Sequence, residues 1–83
     1  MFAQGLSREV GRRGITVNNI QPGPIDTDAN PAAGEWAVPQ KAFTALDRYG
    51  RVDEVAALVA FVAGPESSYI TGANLTVDGG MIA

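Results

Sequence analysis

Val17-Asn18-Asn19-Ile20-Gln21-Pro22-Gly23-Pro24-Ile25-Asp26-Thr27 is the stretch that decides the fold. Its first residues are a short β-branched run, the composition that suits a half-buried strand. Pro22-Gly23 then turns the chain, and an aliphatic residue and a hydroxyl follow. Open α/β sheets bind their ligands in the crevice beyond the carboxyl ends of their strands. The stretch therefore predicts a strand that delivers a tight loop to a ligand.

Upstream, Phe2, Leu6 and Val10 recur every four residues with polar residues between them, the spacing of an amphipathic helix. Arg8, Arg12 and Arg13 suit the negative end of its dipole, and Gly11 or Gly14 supplies the cap. No N-cap residue precedes the apolar stripe. The helix is thus expected to open in mid-course at Met1, as at an internal methionine of a longer reading frame. The strand is predicted over Ile15–Ile20.

Downstream, Pro22, Pro24, Pro31 and Pro39 break the chain between Gln21 and Gly50 into an irregular region with one short helix over Gln40–Leu46. Loops this long are usually functional, and Trp36 and Phe43 suggest a lid with an apolar underside. Val55, Leu58, Val59 and Val62 predict a helix over Asp53–Ala63, acidic in its first turn and stopped by Gly64-Pro65. It carries no charge from Val55 to Pro65, so it must be covered on more than one side. Ala73, Leu75 and Val77 alternate with polar residues in a last strand that Gly79-Gly80 ends. Strand, crossover helix and strand predict a parallel pair. Two parallel strands cannot cover a helix that is apolar all round, so one end of a larger sheet is expected.

Composition narrows the chemistry. The chain has 83 residues, 46% hydrophobic and 18% charged, which allows one globular unit without a linker. It has no cysteine and no histidine, which removes thiolate chemistry, the usual general base and the commonest metal ligand. The net charge of −3 argues against a nucleic-acid partner. No apolar run approaches the roughly 18 residues of a membrane span, and no signal peptide opens the chain, so a cytoplasmic protein is expected.

Gly14-Ile15-Thr16-Val17-Asn18, Pro22-Gly23-Pro24-Ile25-Asp26-Thr27, Arg48-Tyr49-Gly50, Glu54-Val55-Ala56, Tyr69-Ile70-Thr71-Gly72-Ala73 and Val77-Asp78-Gly79-Gly80 carry a resemblance. In order and spacing they resemble the C-terminal third of a short-chain dehydrogenase/reductase, in the 3-oxoacyl-carrier-protein-reductase-like branch. Thr27-Asp28-Ala29-Asn30-Pro31-Ala32 is also similar to a subgroup that includes a biofilm-dispersal mediator binding cyclic di-GMP. The fold implied is α/β, the C-terminal part of a Rossmann-type doubly wound parallel sheet (helix, strand, lid loop, helix, strand), incomplete on its own. The function implied is NAD(P)-dependent hydride transfer with a small carbonyl or alcohol substrate. The resemblance puts Pro22 and Gly23 beside the nicotinamide of NAD or NADP and pairs the Ile25 backbone with its carboxamide. It aims the Thr27 hydroxyl at the same amide or at a phosphate. It makes Asp28–Leu46 the substrate lid, with Trp36 stacking on substrate or sealing the lid. It also implies a homo-oligomer formed through 53–63 and 73–77.

The departures matter as much. No glycine-rich phosphate loop occurs, and neither Tyr49 nor Tyr69 has a lysine four residues on, so no residue here inherits the catalytic role. The chain alone is therefore expected to be inactive. Two alternatives stand beside the oxidoreductase: an inactive segment that associates with homologous subunits, and a nucleotide-binding regulator of the cyclic di-GMP type. Asp26 and Asp28 are read as solvent-facing, Asn18 and Asn19 as partners for backbone groups, and no metal site is expected.

Overall fold

The structure is a computed structural model that describes residues 2–81. Helix α1 spans Phe2–Val10 and runs into a 3₁₀ turn over Gly11–Arg13. Gly14 closes it in the left-handed conformation, with φ 76°, and donates its N–H to Gly11 O. Met1, the expected uncapped start, lies outside the described residues. The helix seats on the chain before the last strand through small residues. Ala3 and Ser7 are its buried positions, and a Cβ on Gly72 would lie 2.9 Å from Ser7 Oγ.

Strand β1 spans Asn19–Pro22 and pairs in parallel with β2, Asn74–Val77, in the register Asn19↔Asn74 to Pro22↔Val77. The parallel pair matches expectation, but β1 begins four residues later than its β-branched run. Asn18 is the reason. Its Nδ2 donates to Ile70 O (3.1 Å) and its Oδ1 accepts the Ala73 N–H (3.1 Å), so a side chain replaces the ladder there. The same bond takes Ala73 out of β2. Asn19 and Gly23 donate to Ala73 O and Val77 O, which fixes the alternation. Odd residues of β1 face β2, and Pro22, with no N–H to donate, falls on the open edge where none is needed.

Helix α2 spans Ala37–Ala42, earlier than the Gln40–Leu46 read from sequence. Pro39 acts as a first-turn residue whose missing N–H has no intrahelical partner to lose. Thr44 ends the element: its hydroxyl donates to Lys41 O (2.9 Å) and accepts the Arg48 N–H (3.2 Å). Helix α3 spans Val52–Ala63 and lies against β2. Gly64 and a 3₁₀ turn over Pro65–Ser67 stop it, with buried Ser67 donating to Val62 O at 2.7 Å. After β2, Asp78 Oδ1 accepts the Gly80 N–H (2.9 Å) in a turn that leaves the strand.

The interior is small. No large side chain among the described residues is fully buried, and α3 buries none of its residues. The accessible surface is 5940 Å², against about 4700 Å² for a compact monomer of 8.6 kDa. The radius of gyration is 15.1 Å, where about 12 Å is usual for this length. Among the described residues the sheet has two strands, and the apolar helix beside it is largely open.

Candidate functional site

The loop after β1 is held from two sides. Gly23 donates its N–H to Val77 O (3.1 Å), and a Cβ at this position would lie 2.7 Å from Asp78 Cβ. Only glycine permits that approach. Three residues on, the Gly50 N–H reaches Pro24 O and the Asp26 N–H reaches Gly50 O, both at 2.9 Å. These two bonds flank Ile25 in a parallel bridge, which turns its own N–H and C=O away from Gly50. Among the described residues neither group has a hydrogen-bond partner. A donor and an acceptor side by side on an extended residue are the complement of a primary carboxamide. The loop thus fits the nicotinamide end of NAD(P).

Thr27 stands at the head of a turn. Its carbonyl and its Oγ1 both accept the Asn30 N–H, at 3.1 Å and 3.2 Å. The hydroxyl proton remains available to an outside acceptor. Asp26, read as solvent-facing, is exposed but also caps the loop by accepting the Ala32 N–H at 2.8 Å.

Trp36 and Phe43 bracket α2 seven residues apart, which places them on one helix face. They are 68% and 71% exposed, so the apolar face of this segment is uncovered. A polar knot connects this segment to the loop: Asn30 Nδ2 donates to Gln40 Oε1 (2.9 Å), and the Tyr49 hydroxyl shares its one proton between Asn30 Oδ1 (3.1 Å) and Gln40 Oε1. Sequence reading missed this knot. Its members sit in a stretch without periodicity, and only the fold brings residues 30, 40 and 49 together.

Arg48 forks onto Glu54 at 2.9 Å and 3.0 Å and also donates to Tyr49 O (3.0 Å). The Arg48 bond and the Arg51 N–H at 2.9 Å hold the Glu54 carboxyl down to about 2, from an ordinary 4.5. Glu54 is thereby both the cap of α3 and the anchor of the 48–50 segment. A cavity of about 250 Å³ opens between Ile25, Leu46, Gly50 and the turn after β2. It lies on the β2 side of the loop and adds no proton-transfer group beyond the Arg48–Glu54 pair and Asp78. The described residues contain no group of three or more His, Cys, Asp or Glu side chains able to hold a metal ion.

A parallel strand pair, a helix packed on it and a tight loop at the strand's carboxyl end define part of a Rossmann-type α/β fold. A family model described as "Enoyl-(Acyl carrier protein) reductase" matches residues 1–82. The chain belongs to the short-chain dehydrogenase/reductase family. It is 54% identical over 78 residues to the cyclic-di-GMP-binding biofilm dispersal mediator protein of Escherichia coli K12, covering 94% of this chain and 33% of that protein. It is 44% identical over 81 residues to a 3-oxoacyl-[acyl-carrier-protein] reductase of Vibrio cholerae, covering 96% and 33%. A short-chain dehydrogenase of Burkholderia cenocepacia J2315, solved in complex with NADP, superposes with a TM-score of 0.94 at 55% identity. The match covers 99% of this chain and 34% of that one. The chain thus spans about a third of the length of these relatives. None of its helices is long and apolar enough to cross a membrane among the described residues.

Proposed function

We propose that this chain supplies the nicotinamide-side loop, the substrate lid and an oligomerisation segment of an NAD(P)-dependent oxidoreductase acting on a small carbonyl or alcohol. The free Ile25 backbone pair carries the reading. A carboxamide bound there is fixed in plane by one donated and one accepted bond, which orients the ring to which it is attached. Thr27 donates to the same amide or to a phosphate oxygen. Pro22 and Gly23 form the floor of this end of the site, and Trp36 and Phe43 close over the substrate and exclude water. The cofactor, when bound, supplies or takes the hydride. The complex of the Burkholderia relative with NADP supports this assignment.

Titrating NADPH and NADH into the complete polypeptide that carries this segment tests the proposal. Saturable binding is expected, and no binding of either nucleotide overturns it. The likeness to the cyclic di-GMP-binding mediator favours one second reading, a nucleotide-sensing regulator. Under that reading cyclic di-GMP binds and competes with NADPH. Without such competition the oxidoreductase reading stands alone.

A further inference from the structure

Tyr49 is the largest buried side chain among the described residues, at 5% exposure, yet it is outside the loop and the lid helix that it touches. Its hydroxyl is shared between Asn30 Oδ1 and Gln40 Oε1. Asn30 in turn gives its backbone N–H to Thr27 Oγ1, and its side-chain amide to Gln40 of α2. The neighbouring Gly50 holds Pro24 and Asp26 by backbone bonds, so residues 49 and 50 secure the two ends of the 24–30 loop by different means. The Arg48–Glu54 fork ties the same segment to α3.

We propose that Tyr49, acting through Asn30, is a positioning residue that fixes the Thr27 hydroxyl as a donor toward the nucleotide and ties that loop to the lid helix. This rests on the cofactor-loop reading above. The physical basis is the occupancy of one oxygen. With the Asn30 N–H on an Oγ1 lone pair, the Thr27 proton turns outward, where an amide or phosphate oxygen can accept it. If Asn30 is released, the turn must be ordered when the nucleotide binds, and affinity falls by that ordering cost. Gln40 reaches Asn30 from α2 through Nδ2, whereas Tyr49 reaches Asn30 Oδ1 from the segment that Gly50 bonds to Pro24 and Asp26, so Tyr49 still places Asn30 against the loop when Gln40 is removed.

The experiment compares the complete polypeptide with its Tyr49→Phe, Asn30→Ala and Gln40→Ala variants, by NADPH titration and by peptide-resolved hydrogen exchange without ligand. Tyr49→Phe keeps the ring and its packing. Should it fail to fold, Asn30→Ala, at a half-buried loop position, carries the test. Tyr49→Phe and Asn30→Ala should weaken NADPH about two- to tenfold and speed exchange throughout 27–43. Gln40→Ala should speed exchange over 37–43 and leave NADPH affinity within about twofold. Unchanged affinity in both Tyr49→Phe and Asn30→Ala overturns the proposal, as does an equal loss in Gln40→Ala. A parent that binds no NADPH removes the functional reading and this inference together. A parent that binds, with both variants at parental affinity, removes this inference alone.

Discussion

Thr27 has two lone pairs and one proton, and the fold commits only one lone pair, to the Asn30 N–H at 3.2 Å. The hydroxyl therefore has a structural use and, under the proposed function, a ligand-facing one, and substitution tests both. Thr27→Val removes both while keeping the shape. In the complete polypeptide, NADPH affinity should fall between about twofold and a hundredfold, the range of a lost neutral or charge-assisted bond. The melting temperature without ligand should barely move, because the Asn30 N–H keeps the Thr27 carbonyl at 3.1 Å and lies at the surface. Thr27→Ser should restore binding. A Val variant with parental affinity would leave Thr27 as a turn residue only. Gly23 gives the opposite pattern. A methyl there meets Asp78 Cβ at 2.7 Å and Asp78 Cα at 2.8 Å, and backbone cannot move aside cheaply. Gly23→Ala should lower stability by about 1–3 kcal/mol, the usual cost of overpacking. An unchanged melting temperature in that variant would mean the loop does not sit so close to β2.

At the scale of elements, α3 shows what sequence can and cannot display. Its apolar run, its acidic first turn and its Gly64-Pro65 stop were all legible, and the helix falls within a residue of expectation at Val52–Ala63. The Arg48–Glu54 fork was not, because it joins an irregular segment to a helix by geometry alone. Likewise the β-branching of Ile15–Val17 suggested a strand, but the ladder starts at Asn19 because Asn18 intercepts its bonds. The Pro-Gly loop was readable from its residues. The Tyr49–Asn30–Gln40 knot that holds it was not. The Glu54 cap has a pH signature. Its carboxyl is held below its ordinary 4.5, to about 2, so the charged form is the one that stabilises the fold. Its contribution is complete above pH 4.5 and is lost as pH falls toward 2. Far-UV dichroism should show helix loss across that window in the parent. Glu54→Gln, already lacking the charge, should show less of it, and identical acid profiles would remove Glu54 as the cap.

At the scale of the molecule, the surface decides. The 83-residue chain exposes 5940 Å² where a compact protein of its mass exposes about 4700 Å². Val52, Val59 and Phe61 of α3 and Trp36, Val38, Phe43 and Leu46 in and around α2 all lie open. If half the difference is apolar, covering it is worth about 15 kcal/mol at roughly 25 cal/mol per Å², as much as the whole stability of a small domain. Among the described residues β1 also presents an unpaired edge beside Pro22, and parallel strands are stable only inside larger, two-sided sheets. This is the physical ground for proposing that residues 53–63 and 73–77 pair subunits. It also predicts how the chain behaves when expressed as these residues alone. It should not populate a stable monomer: sedimentation should give associated or expanded species, and heating should give no cooperative transition. It should also show no steady NAD(P)H oxidation with ketones, because no Tyr-x-x-x-Lys pair and no glycine-rich phosphate loop occur in it to protonate a carbonyl oxygen or cradle the dinucleotide. A monomeric sedimentation boundary with a cooperative melt would contradict the first expectation. Sustained turnover by the tag-verified chain would contradict the second, and would require a proton donor other than the tyrosine–lysine pair.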